Sequence, residues 1–318
     1  MTSTVDDIFG SNGIYTNPLD DTLEVPTSVE YILADGTTGF QIDAGLRISG
    51  GASRIPSRSP KHSFSLRFRQ EYGQGRLEYE LFEESLVTSF NSLQLRATYN
   101  NSLIHFNNNQ RNNATLIRDQ FVRDSLLAFG QDDAQHGEYT NLFINGLFWG
   151  VYNLHERGEA AHFSEYNGGE PDDYDALNGG VAIDGNLNSW NALRAAARNG
   201  TFEEVQERLD VDNFIDWVII QEYVGNVDLQ TGANWRAAGG GPNNAKWRIY
   251  AWDSERSLEG VSSGLPDTLT DATGLLDDLR EFPEFILRME DRIQKHYFNG
   301  GALTESAVTQ RWQARVES

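Results

Sequence analysis

The sequence predicts an α+β chain in two lobes, the first rich in strands and the second mainly helical. Three observations lead there. Period-two alternation marks the first half: His62, Phe64, Leu66 and Phe68 alternate with Lys61, Ser63, Ser65, Arg67 and Arg69, one set on each face of a strand. Helical spacing governs most of the second half. Within that half, two strand-like runs at 234–238 and 246–252 flank Gly-Gly-Gly-Pro-Asn-Asn, the composition of a hairpin turn. The expected partition is an extended arm at 1–26, a first lobe at 27–155 and a second at 156–318, with a hairpin segment at 225–258.

Taken in order, the Asn/Asp/Gly/Pro-rich stretch 6–26 reads as the arm. Runs 28–33 and 39–43 alternate like strands, 61–69 is the strand already described, and 90–96 is another. The Asn-rich stretch 100–113 is a loop. A helix is expected at 115–129, with Leu116, Phe121, Leu126 and Leu127 near one stripe and Gly130 as its stop. Its Arg118-Asp119 and Arg123-Asp124 pairs are either surface ion pairs or partners for a lysine. Asn145-Gly146 between 139–144 and 148–154 is the strongest short hairpin signal. Glu156, just after that hairpin, reads equally as a salt-bridge or a site residue. The acidic, Gly-rich stretch 166–188 reads as loop. Helices are expected at 189–199, from Thr201 through a Thr-x-x-Glu capping box, at 213–224 capped by Asp212, at 283–298 with Pro283 at the favoured first position, and from Thr304. The helix at 213–224 has so little polar face that it should be buried and deliver Gly225 and Asp228 to the hairpin.

Composition bounds the function. A chain of 318 residues with 39% hydrophobic residues, 17 Phe, 12 Tyr and 7 Trp buries a sizeable core and is not disordered. No run reaches the ~20 apolar residues of a membrane-spanning helix. The first ten residues do not resemble a signal peptide, and Ser318 falls inside a helical pattern, so both ends read as cuts in a longer chain and the compartment stays open. The absence of cysteine excludes disulfides, thiolate zinc sites and cysteine nucleophiles. A net charge of −22 argues against duplex nucleic acid, whose phosphates need a basic footprint. Of 25 Lys and Arg, only Lys61, Lys246 and Lys295 are lysines. Such an acid-rich, lysine-poor surface suits salty surroundings, which suggests an exported or cell-surface protein of a marine or halophilic bacterium. An ordinary acidic surface is the alternative.

Two places carry chemistry. Arg47, Arg54, Arg58, Lys61, Arg67 and Arg69 lie in a window, 45–69, with no Asp or Glu. In so acidic a chain that is a candidate anion site, or else a solvated strand. The other place is the hairpin. The start of its first strand lies beside the end of its second, at a strand spacing of roughly 4.8 Å. Asp228, Asn234 and Asp253 should therefore converge at its open end. Two carboxylates and an amide oxygen there call for a cation, and hard oxygen donors in small number suit Mg²⁺ shared with phosphates. Taken singly, Asp228 and Asp253 could be turn and cap residues, and Trp247 and Tyr152 simple core. His62, on the apolar face, reads as a satisfied core histidine. No Ser-His-Asp or His-x-x-x-His arrangement stands out, so hydrolase and zinc readings rank low.

Several stretches together resemble the CotH kinase family, the spore-coat protein H type of atypical protein kinase. They are Gly-Leu-Arg-Ile-Ser-Gly-Gly-Ala-Ser-Arg ending at Arg54, Ser-Pro-Lys-His-Ser-Phe around Lys61, Leu-Ile-Arg-Asp ending at Asp119, Asn-Gly-Leu-Phe-Trp-Gly-Val-Tyr-Asn-Leu from Asn145, Leu-Asp-Val-Asp-Asn-Phe-Ile-Asp from Leu209, Gly-Asn-Val-Asp ending at Asp228, and Lys-Trp-Arg-Ile-Tyr-Ala-Trp-Asp ending at Asp253. They span roughly residues 14–300 in family order. The resemblance implies a two-lobed relative of the protein-kinase fold that transfers the γ-phosphoryl group of ATP to Ser or Thr of a protein substrate with Mg²⁺, or Mn²⁺ in its place. It implies that Lys61 contacts the ATP phosphates, that Asp228 orients the acceptor hydroxyl and takes its proton, and that Asp253 and Asn234 hold metal. Tyr152 and Trp247 fall at positions that would sandwich adenine, and Asp119 is a candidate partner for Lys61. The chain departs from the family at 228–234, where the Asp-to-Asn gap leaves Gln230 as an alternative metal ligand. It also lacks a G-x-G-x-x-G loop, so Arg47, Arg54 and Gly50-Gly51 would have to cover the nucleotide. The same fold with another transfer, AMPylation or glutamylation, is the first alternative. A non-catalytic surface or adhesion module is the second.

Overall fold

Alternating apolar residues in the first half build a curled sheet whose order is β1-β2-β3-β6-β8-β7. The computed structural model describes residues 1–229, 232–259 and 271–317. The chain divides into two units, Met1–Leu116 with His136–Arg157, and Ile117–Gln135 with Gly158–Ser318. The mixed composition of strands and helices bears out the α+β expectation.

The first unit contains α1 (Val5–Phe9), β1 (Val25–Ile32), β2 (Thr38–Ser49), β3 (Ser63–Arg67), β4 (Leu77–Glu78), β5 (Ser89–Phe90), β6 (Ser92–Arg96), α2 (Asn108–Asn112), β7 (Gly137–Ile144) and β8 (Leu147–His155). Asn145 and Gly146 both take positive φ, 51° and 81°, which matches the right-handed twist of the β7–β8 hairpin. Phe64 and Leu66 face the core with Leu46, Leu93, Leu95 and Leu154. The opposite face of β3 is not solvated as the alternation suggested. Ser63 and Ser65 are buried; Ser63 accepts from the Ala97 amide, and Ser65 meets Arg157. The arm is not merely extended either. Its Ile8 and Ile14 enter the same core. Glu156 is a structural residue: its carboxylate accepts from the His136 amide at 2.7 Å and lies 3.1 Å from the His136 ring.

The second unit contains α3 (Arg118–Ala128), α4 (Ala160–Asn167), β9 (Asp175–Asn178), β10 (Val181–Asp184), α5 (Asn188–Asn199), α6 (Phe202–Arg208), α7 (Val211–Val224), β11 (Trp235–Gly240), β12 (Ala245–Ala251), α8 (Leu276–Leu279), α9 (Pro283–Tyr297) and α10 (Glu305–Glu317). The helix at 118–128, assigned to the first lobe by chain order, packs here against α7 and α10. It starts after Leu116, whose φ of 68° breaks the helical run. Its polar residues are buried rather than on the surface: Asp124 accepts from Gln120 and Arg315, and Asp119 pairs with Arg123. Helix α7 is buried as expected, but its cap is Asp210, which accepts from the Asn213 amide at 3.1 Å. Asp212 lies inside the first turn and binds Arg288 instead. Thr201 and Glu204 form the expected capping box, and Pro283 opens α9. The stretch read as loop holds the β9–β10 hairpin, and β9 pairs with β11 in the order β10-β9-β11-β12.

Candidate functional site

The β11–β12 hairpin forms where the turn residues placed it, with Trp235 opposite Ala251 and Gly240 opposite Ala245. That register brings Asn234, just before β11, to the same end as Asp253, two residues after β12. Asn234 and Asp253 both adopt the left-handed conformation, with φ of 62° and 60°. Asn and Asp tolerate it better than other side chains, but it is uncommon and gathers at functional turns.

Asp228 reaches this end from helix α7. Gly225 ends that helix in the left-handed conformation, with φ 56°. Asn226 follows, buried, donating to Gln221 Oε1 at 2.9 Å and accepting the Asp228 amide at 3.1 Å. The Val227 amide donates to the Arg256 carbonyl, and the Leu258 amide to the Val224 carbonyl at 2.7 Å. These bonds tie the Asp228 loop to the turn that follows Asp253. Asn234 Nδ2 donates to the Asp228 carbonyl at 2.6 Å. Asp228, Asn234 and Asp253 are therefore brought together.

The electrostatics of this end are those of crowded acids. The Asp228 carboxyl is held above its ordinary value, first by burial and then by the charge of Asp253, while Arg256 and the Asn234 side chain oppose the shift. Asp119 lies beneath the turn: its Oδ1 accepts the Ser254 amide at 2.8 Å. Together with Arg123 it fixes the backbone just after Asp253. Asn226, Gln221, Ser254 and Asp119 form a support that sequence spacing alone did not identify. Its visible signs were the Gly-Asn-Val-Asp run and the Leu-Ile-Arg-Asp run that ends at Asp119. Gln230 lies outside the described residues.

In the first unit, Lys61 sits in a bend two residues before β3, not on the strand. Ser59 Oγ donates to its carbonyl at 2.7 Å, which holds that bend. Its ammonium donates to the Val151 carbonyl and lies 4.2 Å from the centre of the Tyr152 ring. The reason is local: β6 pairs with β8 only as far as Arg96 and Asn153, so the next carbonyl on that side, Val151, lacks a strand partner. Gly150, at φ 123°, leaves room for the lysine stem; a Cβ there would stand 3.2 Å from Lys61 Cε. Burial lowers the Lys61 pKa from 10.5 to about 8.

Four expected nucleotide contacts are otherwise engaged. Tyr152 is 1% exposed, stacked on Phe64, with its hydroxyl donating to the His62 carbonyl at 3.0 Å. Trp247 is also 1% exposed and meets Trp190 edge-on. Both rings are core in this structure, so neither offers a face to adenine. His62 is a core histidine, as expected, with Nδ1 2.9 Å from the Ser53 carbonyl. Arg47 binds Glu24 at 2.5 Å, and Arg54 donates to the Leu19 carbonyl at 3.3 Å. Arg67 and Arg69 also approach Glu24, and the Tyr72 hydroxyl donates to it at 3.0 Å. The acid-free cationic window thus meets a buried carboxylate from the arm. Glu24→Ala should lower stability by about 2 kcal/mol in urea unfolding, by removing the carboxylate that Arg47 binds and that Arg67 and Arg69 approach.

Among the described residues, no group of three or more His, Asp or Glu side chains is arranged to hold a metal ion. No curated protein matches the chain. A family model described as CotH kinase protein matches residues 46–192 and 186–311. That covers most of the chain, including Lys61, Asp228 and Asp253, and the chain therefore belongs to the CotH kinase protein family.

Proposed function

We propose that this chain is an ATP-dependent protein kinase that transfers the γ-phosphoryl group to a Ser or Thr hydroxyl of a protein substrate. The observation that carries the reading is the pairing of Asp228 with Asp253 at the hairpin end, in a chain of a kinase family. The donor set fits a hard divalent cation. It has two carboxylates, one raising the pKa of the other, and an amide whose nitrogen is occupied by the Asp228 carbonyl. Asp253 and Asn234 would hold Mg²⁺. When bound, the ion supplies positive charge to the β- and γ-phosphate oxygens.

The chain's own residues do the rest. Asp228 accepts a hydrogen bond from the acceptor hydroxyl and takes its proton as the oxygen bonds to the γ-phosphorus. The bond from that phosphorus to the bridging oxygen breaks, and ADP leaves with the electron pair. Asp119 holds the Ser254 amide and keeps the Asp253 turn in place. Lys61 contributes a point charge to the phosphates, a task that suits an ammonium. To do so it must exchange the Val151 carbonyl for phosphate oxygen, a stronger charge-assisted partner.

The test is intact mass of the protein and of a candidate substrate after incubation with Mg-ATP. A gain of phosphate supports the reading. A gain of AMP or of glutamate replaces it with another transfer on the same fold, and no covalent change with full biological effect favours a binding module. A double-mutant cycle of Lys61→Ala and Asp253→Ala on ATP affinity tests whether both residues serve one nucleotide, because independent sites add and shared ones couple.

Lys61 also sets a pH dependence. Its folded-state pKa of about 8 lies below its ordinary 10.5. The cost of burying the charge is present in full below pH 8 and is relieved as pH rises from there toward 10.5. The phosphate contact runs the other way, since it needs the protonated form. ATP affinity should hold steady below pH 7 and fall above about 8, by roughly tenfold per pH unit at most. Isothermal titration across this range checks it, and Lys61→Arg should flatten the profile.

A further inference from the structure

Strand β12 leads into Asp253, and it is the last strand in the order β10-β9-β11-β12. β11 takes one of its edges. On the other edge the outward backbone groups belong to every second residue, here Trp247, Ile249 and Ala251. The segment that opens helix α7 meets them. Leu209 bridges Trp247 in the parallel sense, and the Asp210 amide donates to the Trp247 carbonyl at 3.0 Å. Asn213, in the first turn of α7, is 2% exposed and takes both backbone groups of Ile249. Its Oδ1 accepts the Ile249 amide at 2.6 Å, and its Nδ2 donates to the Ile249 carbonyl at 3.3 Å. Gln135 Nε2 donates to the Ala251 carbonyl at 3.3 Å.

Asn213 is itself held. Its Nδ2 also donates to Gln131 Oε1 at 3.3 Å, and Arg248 of β12 donates to the same oxygen at 2.6 Å. Gln131 Nε2 donates to Asp216, further along α7. A buried amide pair thus ties the start of α7 to the middle of β12.

From this tie the helix and the strand run in the same sense to a second one. Gly225 lies about 18 Å further along α7, and Asp253 about 13 Å further along the line of β12. There the Val227 amide donates to the Arg256 carbonyl at 3.1 Å and the Leu258 amide to the Val224 carbonyl at 2.7 Å. Between the ties, Ile215, Val218 and Ile219 share one apolar core with Ile249 and Ala251. Apolar burial is non-directional and sets no particular slide of one element along the other. The Asn213 bonds do. A slide of one residue, about 3.3 Å, would bring up Arg248 or Tyr250, whose backbone groups point to β11.

We propose that Asn213 is a positioning residue. By gripping Ile249 it fixes the slide of β12 along α7, and so the separation of Asp253, which follows the strand, from Asp228, which follows the helix. Its effect on transfer rests on the kinase reading above; its effect on the backbone does not. In that reading the nucleotide goes with Asp253 and the acceptor hydroxyl with Asp228. A loosened slide spoils their alignment more than it weakens nucleotide binding, so the cost falls on kcat and not on KM for ATP.

The test compares Asn213→Leu, which removes both bonds at similar volume, with the parent and with Ile215→Val. Asn213→Ser takes its place should the leucine variant not fold. Ile215 is 0% exposed on the same helix, and its truncation lowers stability without touching the Asn213 bonds. All are assayed well below their melting temperatures. Transfer is read as ADP released from Mg-ATP with dephosphorylated casein as acceptor, and backbone order by amide exchange. In the Asn213 variant kcat should fall by about tenfold or more while KM for ATP stays within about threefold of the parent. Exchange should quicken at Ile249 and, at the far tie, at Val227 and Leu258. Ile215→Val should keep the parent's kcat and its protection at those amides. Quickened exchange at Ile249 alone would overturn the proposal, and so would a kcat equal to that of Ile215→Val. A parent that releases no ADP counts against the kinase reading only; exchange at Val227 and Leu258 then decides the role of Asn213 by itself.

Discussion

Asp228→Asn should lower phosphoryl transfer by about 10²- to 10⁴-fold, the range for loss of a positioned general base, while ATP binding stays close to that of the parent. The substitution keeps the shape of the side chain and its place in the loop held by Asn226. It removes the negative charge and the ability to take a proton. The same substitution should raise the melting temperature of the metal-free protein. The Asp228 carboxyl sits above its ordinary value, chiefly through burial and then through Asp253. The folded state therefore holds this proton to higher pH than the unfolded chain does. Stability from this group falls as pH rises from about 4 through the raised folded-state value, and the penalty is present in full above that value. Asparagine carries no such penalty. Loss of transfer with a gain in stability separates a strained functional carboxylate from a turn residue, whose replacement would lower stability and leave transfer alone. Steady-state kinetics of phosphoryl transfer to an unmodified protein substrate and thermal melts from pH 4 to 8 read both effects. Unchanged transfer with a lowered melting temperature would remove Asp228 from the chemistry.

Elements marked by local chemistry were legible before the structure. Asn145-Gly146 needs positive φ at both positions and obtained it. The Gly- and Asn-rich turn between β11 and β12 set a register that joins Asn234 and Asp253 at one end. Helix α7 announced its burial through a nearly unbroken apolar surface. What escaped depends on partners distant in sequence. Glu24 lies more than twenty residues before the arginines it neutralises, so the window around Lys61 looked more open to anions than it is. The short runs Asp-Ala-Leu-Asn and Val-Ala-Ile-Asp carry too few residues to show a period, and β9 is a strand because β11 offers it an edge. Tyr152 and Trp247 show the ambiguity of aromatic residues in strands, since packing and ligand stacking favour the same side chains; here packing holds both rings. Asp119 was visible as an acid on a helix but not as the acceptor for the Ser254 amide, because that bond spans 135 residues.

Asp253→Ala should abolish the Mg²⁺-dependent part of nucleotide binding, and transfer with it. Asp253 stands in a left-handed turn at the end of β12, with Ser254 held by Asp119 and the Asp228 loop tied alongside. The backbone is thus fixed independently of the carboxylate, and alanine should remove the ligand while leaving the turn largely in place. Left-handed backbone at alanine costs about 1 kcal/mol. In the parent protein Mg²⁺ with a nonhydrolysable ATP analogue should raise the melting temperature, since binding to the folded state alone stabilises it by mass action. That rise should grow with pH as Asp228 ionises above its ordinary range, and it should vanish in Asp253→Ala at every pH. A further consequence separates ligand loss from unfolding. Without its neighbour's charge, Asp228 in the variant should titrate closer to its ordinary value, so the metal-free protein should lose part of the acid-side slope in stability. Equal analogue affinity in parent and variant, with Mg²⁺ present, would show that the hairpin end does not hold the metal.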